Sequence, residues 1–70
     1  MWNRNDMKMR TIYWIKKKGY TIKFIAEELG VDRSTFNRWD NGEVEPGFWK
    51  IYNLSKRLGV SIEDLIDNRK

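Results

Sequence analysis

The chain has 70 residues, 14 Lys or Arg against 10 Asp or Glu and a net charge of +4, which allows one small core and no second domain. It has no Cys and no His, so a disulfide framework is excluded, no such ligand is present for zinc, and the fold must stand on packing. Four Trp, three Tyr and three Phe supply large apolar areas for it. No stretch has the length of a membrane span or the layout of a signal peptide, which makes the cytoplasm the expected location.

In chain order the sequence predicts five helices and no strands, an all-α fold with its core over about residues 6–66. The first helix runs from about Asp6 to Lys18, with Met9, Ile12 and Ile15 as its apolar stripe and Gly19 as its stop. Lys16, Lys17 and Lys18 in part solvate its end and complement its negative pole, and in part carry the positive charge of residues 1–42 that attracts phosphate. The second opens at Thr21, a good N-cap, and puts Phe24, Ile25 and Leu29 on one stripe before Gly30 ends it. After a Gly-Val-Asp turn, Asp32 is expected to cap a third helix with its carboxylate. A turn this short lets one helix lie across the other and project into a DNA major groove.

The third helix separates by chemistry. At about 100° per residue, with Arg33 at zero, Asn37 falls near 40°, Ser34 near 100° and Arg38 near 140°, while Trp39 and Phe36 fall near 240° and 300°. The four polar side chains share a sector and the aromatic pair points away. Any amphipathic surface helix has polar residues outside, so this face alone decides little. Its chemistry does suit base edges: Arg pairs with guanine O6 and N7, Asn with adenine N6 and N7, and Ser with either.

The fourth helix follows Pro46-Gly47 and places Phe48, Ile51, Tyr52, Ser55 and Leu58 at spacings of three and four, with Gly59 as its end. Trp49 shares a face with Asn53 and Lys56, and Trp2 sits in a polar tail, so at least one Trp is expected outside, as an interface residue or a lone surface aromatic. The fifth helix opens with Ser61 and Asp64 in a capping-box arrangement and buries Ile62, Leu65 and Ile66. Residues 1–4 and 67–70 read as frayed ends.

Gly19, Thr21, Ile25-Ala26, Gly30-Val31, Phe36, Asp40 and Gly42, followed by Pro46 and FWKIYNLSKRLGVSIEDLI, resemble the phage repressor and Cro type of helix-turn-helix domain, the xenobiotic-response-element-like family. The resemblance covers residues 9–66. It implies a five-helix lambda-repressor-like fold, a bacterial or phage-infected cell, and a DNA-binding transcriptional regulator, with repression preferred because an 8.5 kDa chain leaves no room for an activating or ligand-sensing domain. It also implies base reading by Arg33, Ser34, Asn37 and Arg38, and phosphate contacts by Thr21, Lys23 and Asn41.

Three positions depart from the family pattern. Ile22 replaces a Gln and cannot hydrogen-bond a phosphate oxygen. Glu43 and Glu45 occupy a loop that is often basic and repel the DNA backbone. Asp40 replaces a longer Glu, so a salt bridge back to the first helix is expected to be less secure.

Charge is uneven. Residues 1–42 hold nine Lys or Arg and five Asp or Glu, giving +4, while residues 43–70 hold five of each and sum to zero. The basic half is the one that contains the third helix, and it attracts phosphate in a salt-dependent way. A symmetric homodimer on an inverted-repeat operator is expected, with Trp49, Leu65 and Ile66 as contact residues.

Catalysis is not expected. Glu27, Glu28, Glu63 and Asp64 are adjacent pairs on surface helices, nothing is present to activate a nucleophile, and no Gly-rich phosphate loop appears. No cofactor or metal is expected. The competing function is a modulator on the same fold that binds another repressor protein instead of DNA, in which Ile22, Glu43 and Glu45 would be unsurprising.

Overall fold

Local capping chemistry sets most element boundaries in the structure, a computed structural model that describes residues 8–67. The elements run β1 (Lys8–Met9), α1 (Thr11–Lys17), α2 (Ile22–Leu29), α3 (Ser34–Asp40), α4 (Phe48–Leu58), α5 (Ile62–Leu65) and β2 (Ile66–Asp67). Of the ends expected to fray, 1–4 and 67–70, only Asp67 is among the described residues, and its main chain is paired in β2; the tail with Trp2 also lies outside them.

Two helices stop in the same way. Gly30 and Gly59 adopt φ of 72° and 71°, left-handed values that only glycine takes cheaply, and the valine after each donates its N–H back across the last turn, Val31 to Ala26 and Val60 to Ser55. The predicted starts of α2 and α5 also hold. The Thr21 hydroxyl accepts from the Phe24 N–H at 3.0 Å, and Ser61 and Asp64 make a reciprocal capping box.

The five helices stand as expected, but α1 begins at Thr11 and not near Asp6. Lys8 and Met9 instead pair antiparallel with Asp67 and Ile66, and the Arg10 N–H donates to the Leu65 carbonyl at 2.8 Å. This two-residue ladder is the exception to the expected absence of strands. It satisfies main-chain groups at both ends of the fold and keeps Met9 in the core without helical backbone.

The core comprises Met9, Ile15, Ile25, Ala26, Phe36, Trp39, Ile51, Leu54, Leu58 and Leu65. Two expected core positions differ. Phe24 is exposed and stacks on Tyr20 at 5.6 Å. Phe48 is exposed, and Leu54 takes the interior position on α4 because it lies in phase with Ile51 and Leu58. Trp14 joins α1 to α5 by donating from its indole Nε1 to the Asp64 carbonyl at 2.8 Å.

Candidate nucleic-acid interface

Helix α3 is fixed from beneath by its aromatic pair. Phe36 and Trp39 are buried and meet edge to face, ring centroids 5.4 Å apart, a favourable arrangement of their quadrupoles. With those two side chains inside, helical geometry turns Arg33, Ser34, Asn37 and Arg38 outward, and all four are exposed. The Asp32 carboxylate does not cap this helix: no side chain does, and it is the Asp32 main-chain carbonyl that accepts, from the Thr35 N–H at 3.0 Å.

At its far end α3 is tied to α1. Both oxygens of Asp40 accept hydrogen bonds, Oδ1 from the Thr11 N–H at 2.9 Å and the Thr11 hydroxyl at 2.7 Å, Oδ2 from the Ile12 N–H at 3.1 Å. A carboxylate from one helix thus caps the N-terminus of another and complements its positive pole. From the sequence Asp40 is weighed only as a salt-bridge partner of the first helix; this cap is a further role, for which the shorter Asp side chain has the reach.

A shallow groove runs between α1, the start of α2 and the start of α3, lined by Ile12, Lys16, Ile22, Asp32, Arg33, Ser34 and Asn37. It brings three of the four base-reading candidates together. Arg38 lies apart from it, where its carbonyl accepts from the Glu43 N–H at 2.9 Å.

Lys16 is read from the sequence both as a solvated helix end and as part of the basic half that attracts phosphate, but is not placed at the site. It stands one turn after Ile12 on the rim of this groove. That i, i+4 relation to an apolar stripe residue was the available signal. The Ile22 side chain contributes apolar surface to the same groove and offers no donor.

The phosphate candidates differ in availability. Lys23 is exposed, and the Thr21 hydroxyl, while accepting from Phe24, keeps its own hydrogen to donate. The Asn41 side-chain amide donates to Glu43 Oε2 at 3.3 Å, so one of its two N–H groups is engaged within the loop. Of the expected dimer contacts, Trp49 is exposed and Ile66 half-buried, but Leu65 is fully buried in the monomer. Its side chain lies in the core and is not available to a second copy.

A helix-turn-helix family model matches residues 13–65, from the first turn of α1 through α5. Over 49 residues the chain is 35% identical to the SPbeta prophage-derived uncharacterized HTH-type transcriptional regulator YonR of Bacillus subtilis (strain 168). That match takes in 70% of this chain and 45% of the relative, so the chain spans about half the length of that protein.

Among solved structures, a Bacteroides fragilis protein named as a candidate DNA-binding protein superposes with a TM-score of 0.73 at 23% identity, covering 86% of this chain and 97% of that one. The hypothetical transcription factor NHTF from Neisseria superposes at 0.68 and 18% identity, covering 93% and 75%. At these identities the two structures share the fold.

Proposed function

The chain belongs to the helix-turn-helix family, and from that premise we propose that it is a transcriptional regulator that binds double-stranded DNA, a repressor of the Cro and CI type. The observation that carries the reading is the division of α3, with Phe36 and Trp39 inside and Arg33, Ser34, Asn37 and Arg38 outside. Arg38 and Asn37 have the donors and acceptors to read guanine and adenine, Arg33 and Ser34 extend the contact towards the helix N-terminus, and Thr21, Lys23 and Lys16 meet phosphates on either side. The relative from a prophage supports the same reading, as its name gives it to transcriptional regulation.

One such domain presents one reading helix, and a single half-site offers few base contacts. The working unit in this reading is a symmetric homodimer on an inverted repeat whose half-site centres lie about 34–36 Å apart. The protein acts where that DNA is, in the cytoplasm of a bacterial or phage-infected cell. No helix among the described residues is long and apolar enough to cross a membrane. The reading contains no catalytic step and no cofactor.

Mobility-shift titration at several salt concentrations tests it. The expected result is tight binding to a sequence selected from a random pool, with affinity falling steeply as salt rises. Weak, sequence-blind binding would transfer the function to the competing class, a modulator docking on another repressor.

A further inference from the structure

The groove between α1, α2 and α3 has an apolar floor and a polar rim. Ile12 and Ile22 are half-buried, while Lys16, Asp32, Arg33, Ser34 and Asn37, which complete its lining, are exposed. Both isoleucines pack against the core, which holds the floor in place. DNA binding as described gives tasks to the cations and to the polar side chains of α3 and none to Ile22, although Ile22 opens α2 in the same groove.

The floor restricts its occupant. A phosphate oxygen set on it would lose water and gain no hydrogen bond from either isoleucine side chain, and the Asp32 carboxylate on the rim would repel it. A methyl group meets neither cost. Among the major-groove edges of the bases the one apolar substituent is the C5-methyl of thymine, carried on the side of the ring nearest its own sugar-phosphate strand. An apolar residue that shares a groove with base-reading side chains and with a cation for phosphate is placed for that group. Arg33, Ser34 and Asn37 border the groove from α3, and Lys16 borders it from α1.

We propose that Ile22, on a floor shared with Ile12, binds the 5-methyl group of a pyrimidine, thymine in unmodified DNA, and determines specificity at that base. The inference rests on the proposed DNA-binding function. It adds the one base-edge group that a hydrogen bond from Arg33, Ser34 or Asn37 does not register, since a methyl offers neither donor nor acceptor. The residue type that costs α2 a phosphate contact at position 22 supplies a base contact in its place.

Replacing thymine by deoxyuridine removes the methyl and leaves every hydrogen-bonding atom of the base in place, so it tests the floor alone. A sequence selected from a random pool is synthesised with each thymine replaced in turn, in both half-sites where it is an inverted repeat, and each duplex is titrated with the full chain. One replacement should weaken binding by about fourfold per half-site, as expected for returning one methyl group to water. With Ile22→Ala and Ile22→Gln, the same thymine and uracil duplexes should bind within about 1.5-fold of each other, because the apolar partner is gone. That ratio is taken within one protein, so a general loss of affinity cancels from it. 5-Methylcytosine carries the same methyl, and a duplex with 5-methylcytosine at that position names the source: tighter binding than thymine assigns the floor to methylated DNA, weaker binding to thymine.

Far-UV circular dichroism matching the parent establishes that both variants fold. A selected sequence in which no uracil replacement weakens the parent would overturn the proposal and leave DNA reading by α3 intact. So would an Ile22→Ala protein that keeps the parent's preference for thymine over uracil, since the methyl would then be held by another residue. Failure to select any sequence would overturn both.

Discussion

Helices α3 and α4 use aromatic residues in opposite directions. In α3, Phe36 and Trp39 are the apolar anchor and point inward, leaving a polar face outside. In α4, Ile51, Leu54 and Leu58 anchor the helix, and Phe48 and Trp49 are left in solvent. A seven-residue helix with two large apolar side chains has no choice of anchor, whereas an eleven-residue helix with several aliphatic residues in phase can spare its aromatics. Side-chain type therefore does not set burial here; the phase of the competing apolar residues does.

The largest effect that could break this comparison lies in two phenylalanines. Phe36→Ala should cost about 3–5 kcal/mol, as expected for emptying a fully enclosed aromatic site, and a chain of this size holds only about 4–10 kcal/mol in total. Phe48→Ala should stay within about 0.5 kcal/mol. Urea unfolding followed by circular dichroism measures both, and similar losses in the two variants would mean that the outer face of α4 also supports the fold.

Next in size is the cap from α3 to α1. Asp40→Ala removes three charge-assisted hydrogen bonds and leaves the first N–H groups of α1 without that partner, a loss of about 2–4 kcal/mol. Asp40→Asn keeps one acceptor oxygen and should lose less. If Asp40→Ala unfolds at the same urea concentration as the parent, the bond network between the two helices contributes nothing net and α3 is held by its aromatic pair alone.

The features legible in the sequence were those written within four residues. Thr21, Gly30, Ser61 with Asp64, and Gly59 each act on a main-chain group in their own turn, so spacing alone identified them. The inward turn of Phe36 and Trp39 was legible for a related reason, as it needs only helical periodicity.

What escaped reading depends on distant partners. The start of α1 was misplaced because Lys8 and Met9 pair with residues at the other end of the fold, and the role of Asp40 was obscured because its partners lie 28 and 29 residues away. Asp32 looked like the cap of α3 by type, but its main chain does the work. Leu65 looked available for a contact because periodicity gives which residues are apolar and not which of them the core will enclose. Lys16 was hidden likewise, since the groove it borders is made by three helices.

On the reading face itself, Asn37→Ala and Arg38→Ala should leave folding unchanged, because both side chains are exposed, and should each remove about 1–3 kcal/mol of discrimination at one base pair. Selection from a random DNA pool reads this directly. Identical preferred sequences for the parent and both variants would take base reading away from the outer face of α3.

The smallest effects concern charge on the two sides of α3. Lys16 borders the groove at the start of the helix, while Glu43 follows its end and holds the Asn41 amide, with Glu45 two residues further on. Each cation placed against a phosphate releases a counterion, so Lys16→Ala should weaken specific and non-specific DNA alike and reduce the salt slope by about one. Replacing Glu43 and Glu45 together with Lys should do the reverse, tightening both kinds of binding and steepening the slope by up to about two. The double replacement also releases the Asn41 N–H that Glu43 holds. Titrations of the three proteins across a salt series separate the two sides. An unchanged slope for Lys16→Ala would put the α1 end of the groove away from the duplex, and an unchanged slope for the double variant would put the loop away from it, since repulsion that is not there cannot be relieved.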